Sequence, residues 1–179
     1  LGVAVSGTTA YVASDSTGVQ VLELADCLFT CLPEEIGFVI PKGSPKAIEV
    51  SGAIGYVANI GNNALLVLDL SDTAAPAVIG SVEIPTFAGG GLAYSGSTVY
   101  VTTGFPSPGL QAIDASDPAN PQLLGFAPTN FTPEGLTISG SVAYVADGLD
   151  GVTLMDISDP NTPTILSTVD TPFSPLGVA

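Results

Sequence analysis

Four copies of one ten-residue phrase recur at a fixed interval: VSGTTAYVAS (5–14), VSGAIGYVAN (50–59), YSGSTVYVTT (94–103) and ISGSVAYVAD (138–147). Their serines, Ser6, Ser51, Ser95 and Ser139, stand 45, 44 and 44 residues apart. A second phrase follows each copy: VQVLELAD (19–26), LLVLDLSD (65–72), LQAIDASD (110–117) and VTLMDISD (152–159). The chain opens on LGVA (1–4) and closes on LGVA (176–179), so its 179 residues read as four full repeats and the start of a fifth. A repeat this short cannot cover both faces of its own sheet and has to stack on neighbours, which excludes most other architectures.

Each repeat predicts four short strands. In the last, GLTIS (135–139) leads through a Ser-Gly turn to VAYVA (142–146), then DGLDG to VTLMDI (152–157), then SDPNTP to TILSTV (164–169). Strands of about five residues, rich in β-branched side chains and punctuated by Gly, Asp and Pro, mark an all-β chain. Four strands on a period in the low forties match a propeller blade, a twisted four-stranded antiparallel sheet. The expected blades span about 1–46, 47–90, 91–134 and 135–175, with 176–179 beginning a fifth repeat.

The composite G-[VL]-x-[VI]-SG-x-x-AYVA-D…G-V-x-[VL]-[IM]-D-[IV]-SDP-x-x-P resembles the LVIVD repeat, a β-propeller family of bacterial and archaeal surface and secreted proteins. IDASDPANPQLLG (113–125) and MDISDPNTPTILS (155–167) carry the resemblance best, and VYVTTG (99–104) is similar to the related YVTN repeat. The first repeat departs most, with Glu23 for the usual Asp and CLFTCLPEEIG for the SDPxxP turn. The resemblance implies a propeller fold and extracellular placement. It implies no single activity, because propellers host many.

Charge narrows the partners. Only 11% of residues are charged, 17 of them acidic against Lys42 and Lys46, with no Arg or His and a net charge of −15. Such a surface repels phosphate, so nucleic acid and anionic lipid are excluded as expected partners. Although 46% of residues are apolar, no run approaches the roughly 18 that a membrane span needs, so insertion is not expected. The start at Leu1, without initiator Met or leader, reads as a mature product or the ordered part of a longer chain.

Comparison of the repeats locates their differences. Ser-to-Tyr spacing is constant (Ser6–Tyr11, Ser51–Tyr56, Ser95–Tyr100, Ser139–Tyr144). Tyr to the next third-strand acid is 12, 13, 14 and 12 residues, ending at Glu23, Asp69, Asp114 and Asp156. The turn between second and third strands is therefore the elastic one. In a propeller it shares a rim with the crossover between blades, and contacts are expected there because varied loops on a rigid scaffold carry binding. Eight residues before each Ser-Gly turn stand Gly43, Phe87 and Phe131, with Phe173 keeping the phase. These aromatics serve either as wedges between blades or as stacking platforms for sugars or peptide aromatics. Lys42 and Lys46, in PKGSPK, are either solvated or mark an acidic ligand or neighbouring subunit.

Candidate chemistry is sparse. Cys27 and Cys31 form neither a CxxC redox pair nor half of a visible zinc site. A disulfide stapling the enlarged first-repeat turn is the simplest reading in an oxidising compartment, with two free thiols as the alternative. The acids repeated once per blade are expected to be structural, because an acid/base pair must converge on one bond. Those of the second set, Asp26, Asp72, Asp117 and Asp159, precede turns in which an Asp caps its own backbone. DGLDG places Asp147 and Asp150 three apart, a calcium candidate without the ligand count of an EF-hand. Asn130 begins a formal glycosylation sequon, weakened by Pro133. Without His there is no Ser-His-Asp or Cys-His arrangement, and no phosphate-cradling loop appears.

The expectation is a non-catalytic extracellular or cell-surface module, an adhesin or assembly component that needs no cofactor and binds protein or glycan. Further blades, another domain or another copy are expected to complete the ring. The alternative is the propeller domain of a secreted enzyme whose catalytic or cofactor residues lie outside these 179.

Overall fold

A computed structural model describes residues 2–15, 17–24, 33–86 and 89–178. The fold is all-β: four antiparallel sheets of four strands, each built from one repeat and each in simple sequence order. Blade one contains β1 (Gly2–Ser6), β2 (Thr9–Ser14), β3 (Gly18–Glu23) and β4 (Glu34–Val39). Blade two contains β5 (Pro45–Ser51), β6 (Ile54–Asn59), β7 (Ala64–Asp69) and β8 (Ala77–Glu83). In blade three these are β9 (Leu92–Ser95), β10 (Thr98–Thr103), β11 (Gly109–Asp114) and β12 (Gln122–Pro128). Blade four has β13 (Gly135–Ser139), β14 (Val142–Ala146), β15 (Val152–Asp156) and β16 (Thr164–Val169). A single 3-10 turn, Gly148–Asp150, is the one helical element among the described residues, and no helix there is long and apolar enough to cross a membrane.

The invariant Ser-Gly hairpin has a stereochemical cause. Gly7, Gly52, Gly96 and Gly140 take φ of +61, +60, +65 and +60° as the first residue of a two-residue loop. The second loop residue keeps a negative φ, the type II′ arrangement that matches strand twist and needs Gly first. That turn fixes the register, Ser6 opposite Thr9 and Ser139 opposite Val142, and with it the face on which every later side chain falls.

Contacts divide the chain into two units, Leu1–Glu83 and Ile84–Ala179, each holding two blades. In the first, Tyr11, Ala13, Val19 and Val21 of blade one pack on Ile48, Val57, Leu66 and Leu68 of blade two. In the second, Tyr100, Leu110 and Ala112 of blade three pack on Ala143, Val145, Met155 and Ile157 of blade four. Both cores join the tyrosine of one blade and the valine after the tyrosine of the next, Tyr11 with Val57 and Tyr100 with Val145, in one cluster. The Tyr100 hydroxyl also donates to the Ile157 carbonyl at 3.4 Å.

Two backbone approaches lock the two blades of each unit. Along the inner strands β1 lies beside β5 and β9 beside β13, close enough that a Cβ on Gly2 would stand 2.7 Å from Ala47 Cα. On the outer strands, the turn after the third strand of each unit's second blade presses on the fourth strand of its first. A Cβ on Gly37 would meet the Thr73 carbonyl, and one on Gly125 would lie 2.3 Å from the Asn161 carbonyl oxygen. The Gly125 N–H donates to the Pro160 carbonyl at 3.0 Å. A β-bulge interrupts the third-to-fourth strand pairing of every blade, and in blade three the Gln111 amide donates to the carbonyls of Ala112, Leu124 and Gly125 around it.

Candidate functional site

The rim that carries the elastic turns is built where each crossover meets the loop after a second strand. Ser14, Asn59 and Thr103 end that strand in blades one to three and Asp147 follows it in blade four; the last three are buried. Asn59 is satisfied at both ends, its Oδ1 accepting from the Ser44 N–H and its Nδ2 donating to the Lys42 carbonyl. Thr103 donates to the Ser107 carbonyl at 2.8 Å. Asp147 is 1% exposed; its Oδ2 accepts from the Thr153 hydroxyl at 3.3 Å, while its Oδ1 is buried without a hydrogen-bond partner. Burial pushes the Asp147 pKa up and the Asp150 charge adds to the rise, while the Thr129 and Thr153 hydroxyls and the Phe131 N–H oppose it.

Blade three carries the longest elastic turn, TGFPSPG, and with it a cavity of about 280 Å³ opening at this rim. Ile84, Pro85 and Phe126 supply apolar walls, and Thr86, Thr103, Ser107 and Gln111 supply hydroxyl and amide groups. No charged side chain lines it. The Ser107 carbonyl accepts from both the Thr86 and Thr103 hydroxyls, which ties the crossover to the turn. Phe105 stands 70% exposed in the same turn. A neutral pocket with hydroxyl, amide and aromatic lining suits an uncharged polar ligand or a protruding side chain.

The acids repeated in each blade are engaged in their own backbone. Asp69, Asp114 and Asp156 accept from the N–H of Ser71, Ser116 and Ser158. Asp72, Asp117 and Asp159 accept from the N–H of Ala74, Ala119 and Asn161. Hydrogen bonds from the serine hold Asp69, Asp114 and Asp156 below the usual carboxylate range, and those from Asn161 and Thr162 do so for Asp159. Two consecutive Asx turns therefore build the SDPxxP corner, and these carboxylates are committed to it. Among the described residues no three His, Cys, Asp or Glu side chains form a metal-holding group.

The other residues singled out from sequence are scattered. Phe131 is half-buried and packs over Gly148, whose added Cβ would lie 3.2 Å from the Phe131 Cβ. This is a wedge between crossover and loop. Phe173, in the same phase, is 86% exposed. Phe87, Cys27, Cys31 and Asp26 lie outside the described residues. Lys42 is exposed on the crossover and Lys46 half-buried on β5. Asp150 is half-buried, and its Oδ2 accepts from the Asn130 amide at 2.7 Å. Sequence reasoning missed the pocket and Gln111. The column gave little signal, because Gln111 shares its third-strand position with Gln20, Leu66 and Thr153, three polar residues of four.

Residues 176–178 repeat an inner-strand relation. A Cβ on Gly135 would stand 2.6 Å from Gly177 Cα, much as Gly2 approaches Ala47. Thr137, Ser139, Tyr144 and Val178 line a shallow hollow on that face of blade four, where Tyr144 stays half-buried although Tyr100 is closed over.

Comparison with known proteins agrees with this architecture. A family model described as the LVIVD repeat matches residues 42–84, 91–129 and 134–171. Among solved structures, a putative 6-phosphogluconolactonase from Bacteroides uniformis ATCC 8492 superposes with a TM-score of 0.80 at 11% identity, covering 98% of this chain and 55% of that one. The computationally designed Ika8 protein gives 0.71 at 13% identity, covering 95% and 49%. Apo AztD from Citrobacter koseri gives 0.63 at 14%, covering 97% and 48%. The chain thus spans about half the length of these three structures, and at such identities the likeness shows the propeller fold alone. No curated protein matches it in sequence.

Proposed function

Because the chain belongs to the LVIVD-repeat family, whose fold serves many unrelated activities, we propose that it is a non-catalytic binding or structural module outside a bacterial or archaeal cell. The observation that carries this reading is the division of labour between the two kinds of loop. The SDPxxP corners are near copies, closed by the same pairs of Asx turns. The opposite rim differs in every blade and holds the exposed Phe105 and the neutral pocket beneath Thr86, Ser107 and Phe126. A scaffold held constant beneath varied loops is the arrangement of a recognition surface. The ligand is a surface protein or glycan, bound through aromatic and hydroxyl contacts rather than charge. Further blades, another domain or another copy cover the half-buried Tyr144 face, on which residues 176–178 already lie.

The test is a glycan array and a pull-down from cell-surface extracts, with the chain beside Phe105→Ala and Phe126→Ala. Binding that falls at least tenfold in either variant, together with surface biotinylation of the native protein in its host, supports the reading. Robust turnover by the native protein, or its confinement to the cytosol with reduced thiols, sinks it.

A further inference from the structure

The rim of blade four contains a buried charge that its own fold leaves half unsatisfied. At the corresponding position blade two uses Asn59, whose amide donates and accepts in one plane and closes on the Lys42 carbonyl and Ser44 N–H. Thr103 of blade three is likewise neutral and paired. Asp147 has the shape of Asn59 without its donor. Its Oδ2 is met by Thr153, but Oδ1 is the single buried side-chain oxygen or nitrogen without a partner among the described residues. A buried carboxylate left so is costly unless something with positive character meets it, and orphaned groups of this kind in native proteins mark an ion, a water or a special role.

The surroundings favour a cation. Asp150 lies in the same turn, its N–H donating to the Asp147 carbonyl at 3.1 Å, and its carboxylate is near enough for the two charges to oppose each other. The Asn130 amide donates to Asp150 Oδ2 at 2.7 Å and steadies that carboxylate. The Thr129 hydroxyl, which donates to the Phe131 carbonyl at 2.8 Å, stands with the Phe131 N–H beside the Asp147 carboxyl and brings one neutral oxygen to it from the crossover. Neither lysine of the chain belongs to this unit. Two carboxylates with neutral oxygens and water match the hard, all-oxygen coordination of calcium, whose flexible geometry tolerates an irregular loop that magnesium does not.

We propose that the rim of blade four binds a calcium ion between Asp147 Oδ1 and Asp150, tying the 129–131 crossover to the 147–151 turn. With two carboxylates and water completing the shell, the site belongs with extracellular modules of Kd about 0.1–1 mM. Calcium titration of the whole chain by calorimetry and thermal unfolding at constant ionic strength tests it. Calcium at about 10 mM raises Tm by roughly 5 °C, and equal magnesium raises it by less than half as much. Asp150→Asn keeps the circular dichroism of the parent and loses at least tenfold in calcium affinity. Asp147→Asn, which restores the chemistry of Asn59, has a higher Tm than the parent without calcium and no further rise with it. If calcium and magnesium act alike, or either variant keeps the parent's calcium shift, the orphan oxygen is met by a proton or a water and the proposal is overturned.

Discussion

Gly125→Ala adds one methyl group where blade three carries the turn of blade four. That methyl would stand 2.3 Å from the Asn161 carbonyl oxygen, 2.4 Å from its carbon and 2.5 Å from Pro163 Cδ. Ordinary contacts begin about 1 Å farther out, so the turn must move as a body, and it is pinned by Asp159 through Asn161 and Thr162. Overpacking of this kind costs about 1–3 kcal/mol, and stretching the Gly125–Pro160 hydrogen bond adds about 0.5–1.5 kcal/mol. Loss of unfolded-state freedom returns about 0.4–1 kcal/mol. The net is a destabilisation of about 2–3 kcal/mol, or roughly 5–10 °C in Tm for a chain of this size. Gly96→Ala is the control: its φ is +65°, but nothing lies within 4 Å of the new methyl, so it carries only the left-handed backbone cost of about 1–2 kcal/mol. Calorimetric unfolding of both variants decides between blade contact and backbone strain. A Gly125→Ala protein melting within 1 °C of its parent, or above Gly96→Ala, would refute the packing of turn on strand.

Met155 is fully buried in the core of the second unit, so Met155→Ala lowers stability by about 2–5 kcal/mol in urea unfolding. Burial raises the pKa of Glu49, so its folded form holds a proton more tightly than the unfolded chain. The stability it contributes is complete below the unfolded value and lost as pH rises through the folded one; Glu49→Gln therefore raises Tm at pH 7 and leaves it unchanged near pH 3. The Asx carboxylates act with the opposite sign. Asp69, Asp114, Asp156 and Asp159 are depressed by their hydrogen bonds, so their contribution is present above the unfolded value and lost as pH falls through the folded one. Melting followed from pH 6 to pH 2 shows a decline that Asp159→Asn diminishes.

The fold was legible because its rules are local and repeated. Constant Ser-to-Tyr spacing encodes one type II′ hairpin, and strands expected at 135–139, 142–146, 152–157 and 164–169 form at 135–139, 142–146, 152–156 and 164–169. The capping role of the repeated acids was legible for the same reason, since an Asx turn closes within two residues of its own aspartate. What depends on a neighbour was harder. Gly37, Gly80 and Gly125 share a column in which Ser167 is the exception, yet only the fold shows the next blade's turn lying on Gly37 and Gly125. Burial of Asp147 was illegible because an Asp in a Gly-rich turn usually faces water, and here the Phe131 wedge and Thr153 enclose it. The aromatic column is uneven for a related reason: Phe131 packs over Gly148, whereas Phe173, in the same phase, is exposed.

The central claim is that the two repeats of each unit are sheets stacked face to face, the fourth strand of the first carrying a turn of the second. A proton NOE spectrum of the labelled chain measures this directly. Stacked blades place the Gly125 Hα protons against the Pro163 Hδ protons and those of Gly37 against Ala74 Hα, giving strong cross-peaks at both junctions. Absence of both, with the hairpin NOEs within each repeat intact, would mean that the sheets form but do not stack.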